Sequence, residues 1–300
     1  MRDIVIVGAG AMGCLFAVRL IEAGARVTLV DVDEDRLAAL RRDGVTLADD
    51  RGERTVPIQA GLAAEVAAPV DLVLLFTKAM HSQAAARSVA HLAADAQALT
   101  LQNGIGNAEA LAEIFEPDRV LMGVTDFPAD LEGPTRVASH GEGHVRIAGF
   151  TAKADAGPAA ALLSTAGLAA QVDPDVRAAI WEKVAFNAAL NAIAAITGRT
   201  VGGMDAPPGR RLAAAVAGEV VATAAANQIQ LDRAGIDRKI DFALANHKGH
   251  KASMLQDLLA GRATEIEAIN GAVVRAARAA GIAVPVTETL ADLVRLMEHR

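Results

Sequence analysis

The chain opens with a short apolar run, Ile4–Val7, that breaks at Gly8 and gives way to a longer apolar stretch with helical spacing, Ala11–Ala23, closed by Gly24. The β-branched run predicts a strand and the 3.6-residue period a helix, and glycine is the usual residue just past a helix end. Val27–Val30 reads as a second strand, and Leu37 and Leu40 mark the buried side of a second helix. Val45–Leu47 and Thr55–Gln59 flank the polar stretch DDRGER and predict a hairpin. Asp71–Thr77, Ala98–Leu101 and Arg119–Val124 are further strands, the first two almost continuous in apolar residues. Such runs suit a parallel sheet covered on both faces. Val137–His140 and His144–Ile147 read as a late antiparallel pair.

Beyond about Val172 the strand signals stop. Asp173-Pro174 is a helix start, a capping Asp with proline at the first helical position. Helical spacing then continues almost to the end, with Gly261 and Gly281 as stops and Thr264-x-x-Glu267 as a capping box opening another helix. The expected fold class is α/β: an N-terminal Rossmann doubly wound sheet over 1–170, followed by an all-helical C-terminal domain over 171–300.

Composition narrows the function classes. With 300 residues and 52% apolar content the chain can bury two cores. A net charge of −7, and no Lys/Arg run interleaved with aromatics, argue against a nucleic-acid partner. No signal peptide is read at the N-terminus, and no run of about 18 uncharged apolar residues is present, so no membrane span is expected. The Ala-rich segment Val184–Ile196 is interrupted by Asn187 and Asn191. The single cysteine, Cys14, has no intrachain disulfide partner, fits a reducing cytoplasm, and reads as a buried small residue. His247-x-x-His250 lacks a third ligand at a convincing spacing, so no metal is expected. The sequence leaves a homodimer open as the assembly.

Gly8-Ala9-Gly10-Ala11-Met12-Gly13 matches G-x-G-x-x-G in the context that gives the pattern its meaning, after a strand and at the start of a helix. Gly8 serves the tight turn, Gly10 the approach of a pyrophosphate, and Gly13 close packing of helix on sheet. The amides from Ala11 and Met12 onward then offer an anion site at the helix N-terminus. Asp31, at the end of the second strand, is placed to accept hydrogen bonds from a ribose. With Asp33, Glu34 and Asp35 beside it, the carboxylate would repel a 2′-phosphate, which favours NAD(H), with NADP(H) as the runner-up. Arg36, Arg41 and Arg42 are the cations within reach of such a phosphate, and the acidic run also suits capping of the next helix.

Two more polar groups end strands. Lys78 follows DLVLLFT and Asn103 follows ALTLQ, so both lie at the carboxyl edge where open α/β sheets bind ligands. In the helical half, Lys183, Asn187 and Asn191 recur every four residues and share a helix face, while Val176, Ile180 and Val184 form an apolar stripe. Polar groups enclosed by Ala, Val, Leu and Ile need partners, and a substrate would supply them. Near the end, Ser253 starts one helix and Glu265 falls in the first turn of the next, where the dipole stabilises an anion.

Taken together, VGAGAMG, TKAM, LQNGIGN, HGEGHVRIAG, WEKVAFNAALNAIAAITG and SMLQDLLAGRATEIEAINGAVV resemble the ketopantoate reductase (2-dehydropantoate 2-reductase) family over essentially the whole chain. The resemblance implies a Rossmann domain, a helical domain and an active site in the cleft between them. It also implies reduction of the 2-oxo group of ketopantoate to pantoate, on the way to pantothenate and coenzyme A. By motif position, Lys183 matches the lysine that polarises the ketone and donates a proton, and Glu265 the acid that helps hold the substrate. Asn103, Asn187, Asn191 and Ser253 match polar substrate contacts, and Lys78 and Asn103 lie beside the cofactor. Members preferring NADPH tend to carry a basic residue where this chain has Asp31, and that departure turns the cofactor expectation toward NAD. Two other readings stand beside it: an NAD-dependent dehydrogenase of another 2- or 3-hydroxy acid on the same plan, and a catalytically silent NAD-binding sensor.

Overall fold

A computed structural model describes residues 1–299. The chain forms two compact units, one of residues 1–102 and 107–176, the other of Asn103–Gly106 together with the chain from Arg177 onward.

The first unit alternates strands and helices: β1 (Asp3–Val7), α1 (Ala11–Glu22), β2 (Arg26–Val30), α2 (Glu34–Asp43), β3 (Val45–Asp49), β4 (Gly52–Val56), β5 (Gln59–Gly61), β6 (Leu72–Leu75), α3 (Ser82–Ser88) and β7 (Gln97–Thr100). It continues through α4 (Asn107–Ala112), β8 (Val120–Thr125), β9 (Asp130–Leu131), β10 (Arg136–Ser139), β11 (Val145–Gly149), α5 (Gly157–Thr165) and β12 (Ala170–Val172). The main sheet has the order β12-β11-β8-β7-β6-β1-β2-β5. Its strands from β5 to β8 are mutually parallel, while β11 runs antiparallel to β8. The central strands are apolar throughout because both faces are covered: Ile4, Ile6, Leu29, Leu72, Leu74 and Leu99 are all at most 2% exposed. Such burial contributes about 2 kcal/mol per side chain.

A second sheet, β4-β3-β10-β9, holds the expected hairpin, but its turn is tighter than the polar stretch suggests. Asp49 pairs with Gly52, so only Asp50 and Arg51 lie between the strands. Pro57 follows β4, and Gln59–Gly61 leaves the hairpin to pair with β2 in the main sheet. The late pair is corrected too. Arg136–Ser139 pairs with β3 and β9, whereas Val145–Gly149 pairs with β8 and β12 in the other sheet. Sequence adjacency suggests a hairpin, yet the glycine-containing stretch between the two carries the chain from one sheet to the other. Val137 on one side, and Val145 and Ile147 on the other, are each fully buried where they land.

The second unit is helical: α6 (Val176–Thr197), α7 (Pro207–Ala226), α8 (Arg233–Asn246), α9 (Ser253–Leu259), α10 (Asn270–Ala279) and α11 (Pro285–Glu298). Asp173 sets the start of α6. Its Oδ1 accepts from the amide of Asp175, and its Oδ2 accepts from Arg146 Nε at 2.5 Å. The helix begins at Val176, two residues beyond the expected proline, because Pro174 and Asp175 form a turn. α6 is long and apolar enough to cross a membrane by composition, but 72% of its most apolar stretch is buried inside the protein. It is the core helix of this unit. Ala185, Ala188, Ala189, Ala192 and Ala194 are fully buried, and their small side chains let neighbouring helices approach closely.

A larger correction concerns Thr264–Glu267. No capping box forms there, and regular helix starts only at Asn270. Thr264 Oγ1 accepts from the amide of Ile266, and the Glu267 carboxylate is taken by Arg295 (2.6 and 3.0 Å) and Arg275 (3.1 Å). With Glu267 drawn outward, nothing closes the box, and a bend at Glu265 is followed by turns over 266–269.

Candidate active site

In the first unit the site is built on the β1–α1 turn. Gly8 has φ +106°, and a Cβ there would come within 2.7 Å of the Phe76 and Thr77 backbone. A Cβ on Gly13 would lie 1.9 Å from the Gly8 carbonyl oxygen, so the helix seats against the turn only because that residue has no side chain. Gly10 is different: a Cβ would meet nothing within 4 Å. The fold does not need that space, and a ligand approaching the backbone does. No side chain caps α1, whose first residues Ala11 and Met12 are partly exposed. Its leading amides therefore point at whatever occupies the turn. These features fit a dinucleotide pyrophosphate.

Asp31 is fastened into the same turn. Its Oδ2 accepts from the Ala9 amide at 2.7 Å, and its Oδ1 from the amides of Val32 (2.8 Å) and Asp33 (3.1 Å). Three of the four lone-pair sites of the carboxylate are thus taken, and Oδ2 retains one for a further donor. Asp33, not Asp31, caps α2, accepting from the Arg36 amide at 3.0 Å. Arg36 reaches back to donate to the Ala9 carbonyl at 2.9 Å, so Asp31 and Arg36 grip the two sides of one residue. Arg41 is turned to the Ala60 carbonyl and Glu65, and Arg42 to Asp43. Behind the turn, Cys14 is buried and donates to the Ala9 carbonyl; desolvation pushes its thiol up to about 12.

Lys78 is half-buried in the loop after β6. That loop is organised by a residue the sequence did not single out. Gln102 Nε2 donates to the Thr77 carbonyl (2.6 Å) and to Ser82 Oγ (2.9 Å), while its Oε1 accepts from Thr100. Ser82 in turn donates to Asn107. Only its position at the end of an apolar strand could have drawn attention to Gln102.

In the second unit, α6 presents Lys183 and Asn187 half-buried and Asn191 at 7% exposure on one face. Asn103 and Glu265, which lie 162 positions apart, meet directly: Asn103 Nδ2 donates to Glu265 Oε2 at 3.2 Å. The approach depends on the next residue. Gly104 has φ +92°, and a Cβ there would fall 2.4 Å from the Ala268 carbonyl oxygen, while the Ile105 amide donates to that same oxygen at 2.9 Å. Glu265 is therefore positioned by a docked loop, not by a helix dipole as the sequence suggests. Ser253 stands exposed as the first residue of α9. Arg295 holds the Glu267 carboxyl below the usual range. A cavity of about 420 Å³ bounded by Asp3, Arg26, Thr28, Gln59, Glu65 and Pro69 contains none of these site residues.

The turn in the first unit is that of a dinucleotide-dependent oxidoreductase. The family model described as ketopantoate reductase PanE/ApbA matches residues 4–151, and its C-terminal counterpart matches 175–298. The chain belongs to the ketopantoate reductase family. A 2-dehydropantoate 2-reductase of Halobacterium salinarum is 36% identical over 300 residues, covering 99% of each chain. Among solved structures, D-mandelate dehydrogenase with NADH and anilino(oxo)acetate is similar at a TM-score of 0.95 and 29% identity, covering 100% of this chain and 99% of that one. A PanE/ApbA family ketopantoate reductase from Ralstonia eutropha has a TM-score of 0.90 at 31% identity, with 100% and 99% coverage. The chain is an oxidoreductase of the ketopantoate reductase type, a class that acts on a small 2-oxo acid with a nicotinamide cofactor.

Proposed function

We propose that the chain reduces the 2-oxo group of ketopantoate to give pantoate, and that it prefers NADH to NADPH. The observation that carries this reading is the Asn103–Glu265 hydrogen bond, which joins two distant polar residues within the unit that also bears Lys183. The first unit is the dinucleotide-binding domain and the helical unit the substrate domain. When bound, the dinucleotide supplies a hydride to the ketone carbon. Lys183 polarises the ketone and delivers a proton to its oxygen as negative charge develops there, the kind of preorganised stabilisation that dominates many rate enhancements. Asn187 and Asn191 donate to the substrate's oxygens, and Ser253 to its carboxylate. Glu265 accepts from the substrate hydroxyl, oriented by Asn103, which would also be a contact for the nicotinamide when bound. Gly8, Gly10, Ala11, Met12 and Gly13 hold the pyrophosphate, with Lys78 alongside.

The NADH preference rests on Asp31. Its carboxylate sits at the Ala9 amide with Asp33, Glu34 and Asp35 next in sequence, a field that favours ribose hydroxyls over a 2′-phosphate. The lone buried thiol suits a cytoplasmic enzyme. A second reading is favoured by the likeness to D-mandelate dehydrogenase: an NAD-dependent dehydrogenase of another 2-hydroxy acid, using the same lysine in either direction. Turnover of ketopantoate and of a panel of aliphatic and aromatic 2-oxo acids, with the products identified by mass, separates the two. Pantoate as the best-formed product supports the first reading, and an aromatic hydroxy acid as the best-formed product overturns it.

A further inference from the structure

Asn270 is the first residue of α10 and is completely buried. Its Nδ2 donates to the Ala188 carbonyl at 3.3 Å, on α6 between Asn187 and Asn191. Its Oδ1 has no hydrogen-bond partner among the described residues. A buried acceptor without a partner is destabilising, and a carbonyl inside an α-helix is already served by the amide one turn on. What the amide does supply is a fixed tie between α6 and the turn that precedes α10.

That turn carries Glu265 and is closed by its own backbone hydrogen bonds. The amides of Ala268 and Ile269 both donate to the Glu265 carbonyl at 3.1 Å, and the Gly271 amide donates to the Ile266 carbonyl at 2.8 Å. On one side it is held by the Asn103–Gly106 loop through Ile105 and Asn103. On the other it is held to α6 through Asn270.

We propose that Asn270 is a positioning residue: by anchoring the 264–269 turn to α6 at Ala188, it fixes the Glu265 carboxylate relative to Lys183, Asn187 and Asn191. This rests on the roles given to Glu265 and Lys183 above. Asn270 is completely buried and acts through Glu265.

The decisive variant is Asn270→Leu, which keeps the approximate volume while removing both the donor and the unpartnered oxygen. A folding role predicts a lower Tm. The positioning role predicts a Tm equal to or above that of the parent, with kcat for ketopantoate down by about 10- to 100-fold, the effect of misplacing a catalytic group by about 1 Å. NADH affinity should stay within about twofold, because the dinucleotide turn is untouched. Should Asn270→Leu fail to fold, Asn270→Ser is the second variant, with the same split expected at smaller size. Hydrogen exchange in the peptide spanning residues 263–269 gives a readout independent of turnover: it should quicken several-fold in the variants while peptides of the glycine turn do not change. Parent-like kcat with parent-like exchange overturns the positioning role, as does a fall in kcat matched by an equal loss of folded protein. A parent that reduces no ketopantoate overturns the proposed function, and the exchange measurement then still decides whether Asn270 anchors the turn.

Discussion

In the first unit the candidate binding surface is backbone: a turn whose amides face outward, held in shape by glycines that leave no room for a side chain at positions 8 and 13. In the second unit the proposed surface is side chains, from residues 103, 183–191, 253 and 265, of which Asn103 and Glu265 are brought together by a docked loop. The first arrangement depends on a few neighbouring residues and tolerates almost no substitution among them. The second is distributed, so removing one group leaves the others in place. Binding of the dinucleotide and chemistry on the substrate should therefore fail separately.

The sharpest separation comes from Lys183→Ala. Removing the proposed proton donor should lower kcat by about 10²- to 10⁴-fold, while NADH binding followed by nicotinamide fluorescence stays within about twofold. A joint loss of both would show that the two surfaces are not independent. Gly13→Ala should give the converse. Its Cβ has to displace the Gly8 carbonyl from 1.9 Å, so NADH affinity should fall by about 100-fold or more, roughly the effect of losing two hydrogen bonds to a charged group. A variant that binds NADH normally would mean the helix can shift away at little cost.

A smaller effect is expected at Asp31→Asn, which keeps the shape and a hydrogen bond from the Ala9 amide but removes the charge. With Arg36 already at the Ala9 carbonyl, the ratio of NADPH to NADH affinity should rise by about tenfold. An unchanged ratio would remove Asp31 from the account of cofactor choice. The least perturbing probe is Cys14. Burial raises the pKa of its thiol in the folded protein to about 12, from 9.0 for an exposed thiol. The stability this contributes is fully present below about pH 9 and is lost as pH rises from there toward 12. The native thiol should accordingly be inert to thiol reagents at pH 8 and become reactive on unfolding. Rapid native labelling would mean the glycine turn opens readily.

The same contrast explains what could be read from the residues. The doubly wound sheet and the glycine turn are legible because they rest on local patterns: apolar runs, a 3.6-residue period, and glycines at fixed spacing before a helix. The polar stripe of α6 is legible for the same reason. The Asn103–Glu265 meeting is not, since nothing in either segment specifies a partner 162 positions away. The apparent capping box at Thr264 misleads because a local motif is overridden by tertiary competition, with Arg295 and Arg275 taking Glu267. The apparent hairpin before residue 149 misleads because adjacency in sequence cannot reveal a change of sheet. Gln102 is marked only by its place at the end of an apolar strand, and the roles of Gln102 and Asn270 are identified by their hydrogen bonds.

The most direct test of the account is kcat/KM for ketopantoate measured with saturating NADH and, separately, with saturating NADPH, on the unmodified chain. We expect efficient consumption of NADH with stoichiometric pantoate, and at least about tenfold slower turnover with NADPH. Faster turnover with NADPH would contradict the role given to Asp31, and no turnover with either would contradict the assignment of ketopantoate as substrate.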